Sequence, residues 1–179
     1  MGLREILTFP DPRLAEKSTP VEAVDDEIKQ LIEDMFETMY TAEGVGLAAP
    51  QVGVTKRVIV VDCGPRGEED QESPLRPVEP IAIVNPVVTA TEGRISWEEG
   101  CLSIPGYVDE VDRAAVITVE GLDREGNPLS MEADGLLAVC IQHEIDHLEG
   151  VLFVDRLSRL KQTLVKKKLK KKAREEARA

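Results

Sequence analysis

The chain has 179 residues, 42% of them hydrophobic and 31% charged, so its length predicts one globular domain with a sizeable core. No apolar run approaches the roughly 20 residues of a membrane span, and the first residues carry charges where an export signal needs an apolar stretch. Three cysteines, an odd number, argue for a reducing cytoplasmic setting without a disulfide framework, and a net charge of −12 hides two unlike parts. Residues 156–179 hold 11 Lys and Arg against 2 acidic residues, which leaves −21 on the rest. An acidic body with a basic tail points to two different jobs.

Taken in order, residues 1–24 hold Pro10, Pro12 and Pro20 and show no period, which predicts an extended arm. Asp25 reads as an N-cap, and Ile28, Leu31, Ile32, Met35 and Met39 follow at helical spacing, with Gly44 as the stop. The stretch from Gly44 to Gly53 holds three glycines and one polar side chain, Gln51. Small residues let a backbone come close to another group, and a carboxamide can donate a hydrogen bond beside an ion without adding charge. The β-branched run at residues 57–62 reads as a strand, and the acidic, Pro-rich residues 64–80 as a surface loop. Two short strands at 81–84 and 87–90 flank Asn85-Pro86, and a hairpin joins 114–120 to 128–132.

Asp134 reads as the cap of the next helix and Gly150 as its stop. It has two apolar stripes, one through Leu136, Val139, Cys140, His143 and His147, the other through Leu137, Ile141, Ile145 and Leu148. A helix apolar on two sides is buried between other elements. A short strand at 151–154 and a last helix with its apolar face on Leu157, Leu160 and Leu164 complete the chain, the helix running into a lysine tail at about 158–179.

The chemistry is concentrated on the buried helix. His143 and His147 are the only two histidines and lie one helical turn apart, able to hold a single metal ion. Glu144 between them completes H-E-x-x-H, in which a carboxylate acts as general base on water. A catalytic metal needs a third protein ligand. Glu175 and Glu176 sit in a lysine-rich tail, a poor place for a preorganised ligand, whereas Cys101 lies in a Gly-flanked segment and a thiolate suits a borderline divalent metal. Cys101, His143 and His147 are therefore the expected ligands, beside a pocket lined by Leu136, Val139 and Cys140.

Three segments, Gly44-Val-Gly-Leu-Ala-Ala-Pro-Gln51, Glu99-Gly-Cys-Leu-Ser103 and Gln142-His-Glu-Ile-Asp-His147, resemble the signature motifs of the peptide deformylase family, in the family's order and at similar separations. The resemblance spans roughly Leu3 to Leu160. It implies an α+β domain in which small, mostly antiparallel sheets surround the helix carrying H-E-x-x-H, with one helix N-terminal and one C-terminal to them. It further implies removal of the formyl group from the N-terminal formyl-methionine of new polypeptides. Cys101, His143 and His147 would hold Fe²⁺, with Zn²⁺, Ni²⁺ or Co²⁺ as substitutes, and Glu144 would take the proton of the metal-bound water. Gln51 and the Leu102 N–H would meet the developing oxyanion. Val45, Gly46 and Gly100 would pair with the substrate backbone, the methionine side chain would fill a pocket of Trp97, Leu136, Val139 and Cys140, and Arg113 would support Glu99. The basic tail would contact ribosomal RNA. The rival readings are a zinc endopeptidase of the H-E-x-x-H type and a structural metal module that binds RNA, closed by a fourth protein ligand.

Overall fold

The structure, a computed structural model, describes residues 2–64 and 80–178, so residues 65–79 of the expected acidic loop lie outside the described residues. The arm wraps the body as expected. The Leu7 N–H donates to the Gln51 carbonyl at 2.7 Å and the Phe9 N–H to the Ser103 carbonyl at 2.8 Å, so the arm ties together two of the segments singled out above. A 3-10 turn, Pro12–Ala15, buries Leu14. Helix α1, Asp26–Thr41, begins where the Asp25 carboxylate accepts the Ile28 N–H at 3.0 Å, and it buries all five apolar residues of the expected stripe. Its end differs from expectation. Gly44 donates to the Met39 carbonyl and Glu43 to that of Tyr40, and Glu43 is the left-handed residue at φ 58°. Gly44 is needed for close approach, since a Cβ there would lie 2.7 Å from Leu102 Cδ1.

Strands β1 (Gly46–Ala48), β2 (Val58–Val61) and β3 (Ile81–Glu92) open a five-stranded sheet. Hairpin strands β4 (Ile95–Cys101) and β5 (Ile104–Arg113) form a separate two-stranded sheet. Strands β6 (Val116–Leu122) and β7 (Pro128–Asp134) complete the larger one in the order β1-β2-β3-β6-β7, every neighbouring pair antiparallel. The two short strands expected around Asn85-Pro86 are one strand. Asn85 takes φ 54°, the register shifts between Val84 and Val87, and the Asn85 side chain exchanges two hydrogen bonds with the Val21 backbone. Pairing with β6 on both sides of this irregularity outweighs the break signal of Asn-Pro.

Alternation along β2 explains the layering. Val58 and Val60 pack toward α1, while Ile59 and Val61 pack toward the H-E-x-x-H helix, so the strand is covered on both faces and reads as a continuous apolar run. That helix, α2 (Gly135–Leu148), buries ten of its fourteen residues. Asp134 stands at its N-cap position, but its side chain makes no capping hydrogen bond to the first turn. Gly150 at φ 75° closes the other end, where a Cβ would come within 2.4 Å of the Ala15 carbonyl oxygen.

The last segment departs most from expectation. Residues 151–154 form no strand, and a 3-10 turn, Phe153–Arg156, buries Phe153 and Val154 instead. Helix α3, Arg159–Arg178, turns Leu160 and Leu164 outward, 71% and 58% exposed. Its packed face is Val165, with Leu169 half-buried, against Ile104, Val111 and Phe153. The preceding 3-10 turn sets the entry angle of α3, so the side meeting the body is not the side with the most leucines. No helix among the described residues is long and apolar enough to cross a membrane.

Candidate functional site

Helical periodicity places His143 and His147 on one face of α2, and the hairpin turn at the end of β4 brings Cys101 to them from the other sheet. Each of the three offers one ligand atom, and these atoms lie within 4.8 Å of one another. Cys101 Sγ is 3.4 Å from His147 Nε2. The Ser103 N–H and Gln51 Nε2 also point at the sulfur, at 3.4 and 3.6 Å, an arrangement suited to a sulfur that ligates as a thiolate.

The supporting groups determine which ring nitrogen is available. His143 Nδ1 lies 2.8 Å from Glu99 Oε1. An ionised carboxylate only accepts, so Nδ1 carries the proton and the Nε2 lone pair is left for an ion. Burial raises the Glu99 carboxyl, but Arg113 and His143 hold it below the usual carboxylate range, so it stays ionised. The Arg113 guanidinium, almost fully buried, binds Glu99 through two nitrogens at 2.7 and 2.8 Å and Asp146 through the third at 2.7 Å. Arg156 closes the network with two further bonds to Asp146. The expected Arg113–Glu99 pair is therefore one link of a longer chain. Sequence alone does not single out Arg156, and for Asp146 its one signal is a charged residue inside a buried helix.

Glu144 points into the same space. Its Oε1 lies 3.9 Å from His143 Nε2, and its Oε2 is buried without a hydrogen-bond partner among the described residues. Burial pushes its carboxyl up to about 7, the range in which a carboxylate can both take and give a proton near neutrality. Gly46 makes room for it, since a Cβ there would lie 2.8 Å from Glu144 Oε1.

A cavity of about 420 Å³ opens beside these groups. Its walls include the expected Val45, Gly46, Gln51, Trp97, Gly100, Leu102, Leu136, Val139 and Cys140, together with Cys101, His143 and Glu144. His147 is not part of the wall and lies behind it, 1% exposed. Glu43, Glu98, Pro105 and Gly106, not anticipated from sequence, also line it. Among the described residues, strand β1 is an edge of the larger sheet and β4 pairs with β5 alone, so the cavity lies between two strands that each have an unpaired side there. Gln51 is held firmly. Its Oε1 accepts the Ala48 N–H at 2.9 Å and its Nε2 donates to Ser103 Oγ at 3.0 Å. The donor set, a soft sulfur and two imidazoles with one ring already oriented by a carboxylate, fits a divalent metal such as Fe²⁺ or Zn²⁺.

The family model described as polypeptide deformylase matches residues 3–163. The peptide deformylase of Pseudomonas aeruginosa is 51% identical over 178 residues, 99% of this chain and 100% of that protein. A peptide deformylase crystal structure from Legionella pneumophila superposes with a TM-score of 0.84 at 48% identity, covering 99% of both chains. The Ehrlichia chaffeensis peptide deformylase in complex with actinonin superposes with a TM-score of 0.87 at 44% identity, covering 96% of this chain and 98% of that one.

Proposed function

The chain belongs to the polypeptide deformylase family, and from that membership we propose that it hydrolyses the formyl amide at the amino terminus of N-formylmethionyl peptides. New polypeptides in the cytoplasm are the natural substrate. The observation that carries the reading is the convergence of Cys101, His143 and His147 beside a buried carboxylate with an unpartnered oxygen.

These three residues would hold one divalent ion, Fe²⁺ in the cell, with Zn²⁺, Ni²⁺ or Co²⁺ able to replace it. The ion supplies, when bound, a Lewis acid that makes water acidic near neutral pH. Glu144 takes the proton from the water as the new C–O bond forms at the formyl carbon. It returns that proton to the methionine nitrogen as the C–N bond breaks, so formate and a free amine leave. The Leu102 N–H and Gln51 Nε2 meet the formyl oxygen as it gains charge. The free edges of β1 and β4, at Val45-Gly46 and Gly100, pair with the substrate backbone as an added strand. Trp97, Leu136, Val139 and Cys140 surround the methionine side chain.

Formate release from formyl-Met-Ala-Ser, set against acetyl-Met-Ala-Ser and an internal Met-Ala-Ser sequence, tests the reading. Rapid turnover of the formyl peptide alone supports it, and comparable cleavage of all three points to an endopeptidase. Actinonin, bound by the Ehrlichia relative, is expected to inhibit the reaction. The lysines of α3 suit contact with ribosomal RNA, and co-sedimentation with ribosomes that weakens steeply with added salt is the expected signature.

A further inference from the structure

We infer that the substrate cleft continues past Pro105 and Gly106 into a groove under α3, where Lys168 and Lys172 favour formyl peptides with an acidic residue downstream of the methionine. The inference deepens the deformylase reading and rests on it. Pro105 and Gly106 line the catalytic cavity, and they also line a second hollow of about 380 Å³ bounded by Tyr107 and by Val165, Leu169 and three lysines of α3. The two hollows thus adjoin across a rim of two residues. The rim is low, because Gly106 sits at φ 78° without a side chain, and a Cβ placed there would be 3.8 Å from Lys172 Nζ.

The helix brings that ammonium to the rim for a geometric reason. Val165, Leu169 and Lys172 follow i, i+4, i+7 along one face. The first two pack against the body, and the third continues the same face beyond the apolar contact.

Charge gives the groove its selectivity. The catalytic cavity carries Glu43 and Glu98 on its wall, whereas the groove carries Lys168, Lys171 and Lys172 against the single carboxylate of Glu175. A formyl peptide has no charge at its amino end, so its first charged groups are downstream side chains. An extended chain advances about 3.3 Å per residue, so the residues after the third move out of the cavity toward this rim. An acidic side chain there leaves the neighbourhood of two glutamates and enters that of the lysines. These ammonium groups are exposed, so the preference is a matter of a few-fold and is screened by salt.

The test uses the metal-loaded, full-length enzyme and carboxamide-blocked peptides formyl-Met-Ala-Ser-X-Ala-Ala, with X as Glu or Lys, and with X moved to the fifth and sixth positions. Each kcat/KM is divided by that for formyl-Met-Ala-Ser-amide on the same enzyme. Glu is expected to exceed Lys by about threefold in at least one position, the scale of a surface ion pair, and to lose that lead at high salt. The double substitution Lys168→Glu with Lys172→Glu is expected to reverse the order, with α3 helicity checked by circular dichroism. Equal ratios at all three positions, or a preference unmoved by the double substitution, would overturn the groove. If formyl-Met-Ala-Ser-amide itself is not deformylated, the deformylase reading fails first and the groove with it.

Discussion

Helices α2 and α3 are both amphipathic on paper, yet one is the centre of the molecule and the other rests on its flank. Ten of the fourteen residues of α2 are buried, including His143, Glu144, Asp146 and His147, whereas Val165 alone is buried among the twenty of α3. In α2, Gln142, His143 and Asp146 are held by packing and by hydrogen bonds, and Glu144 and His147 are held by burial beside them. In α3, Lys161 and Lys166 pair with Asp109 and Asp155 near the start of the helix, whereas Lys168, Lys171 and Lys172 further along are exposed and placed by the direction of the helix. Chemistry that needs placement to fractions of an ångström belongs on the first helix, and forces that act through several ångströms of water belong on the second.

That contrast breaks if substitutions on the two helices cost alike. The largest effect is expected at Glu144. Glu144→Gln should lower kcat by roughly 10²–10⁴, the scale of a lost general acid–base, with metal content by elemental analysis unchanged. Cys101→Ala should instead reduce metal occupancy, and a full complement of metal in that variant would remove Cys101 from the ligand set. Arg113→Ala takes from Glu99 and Asp146 the buried cation that both bind, and a loss of about 3–5 kcal/mol in a urea titration is expected. Gly46→Ala pushes on the Glu144 carboxylate, so kcat should fall by up to about 10²-fold while KM moves less, the signature of a misplaced reacting group. The smallest effects sharpen the comparison from the other side. Leu160→Ser and Leu164→Ser, on the outward face of α3, should change stability by no more than about 0.5 kcal/mol. A loss on the scale of Arg113→Ala at either leucine would mean that this face is covered by something the contrast leaves out.

The two helices also differ in how well they could be read. On α2 both stripes are buried or half-buried, so the period alone named the residues that pack. On α3 the leucine period pointed to Leu160 and Leu164, but the face against the body is that of Val165 and Leu169. Leu157 does pack, but it stands before the helix in extended backbone, so it does not share a helical face with Leu160 and Leu164, and the period drawn through all three fails there. The cavity followed the same rule. Its small and apolar walls were legible in the glycines near residue 45 and in the α2 stripe, whereas Pro105 and Gly106 enter it only because β5 folds back on β4.

Local geometry was enough to put two imidazoles and a carboxylate on one helical turn, to require small residues near Gly46, and to mark α1 from its cap and its period. Those features depend on neighbours within a few residues, where bond lengths and helical pitch leave little choice. The meeting of Cys101 with that turn, the Arg156–Asp146–Arg113–Glu99–His143 chain, the continuity of β3 through Asn85 and the face on which α3 lies all join residues distant in sequence. Such contacts are selected by burial and pairing across the whole domain, and no short window of residues contains the competing surfaces among which that selection is made.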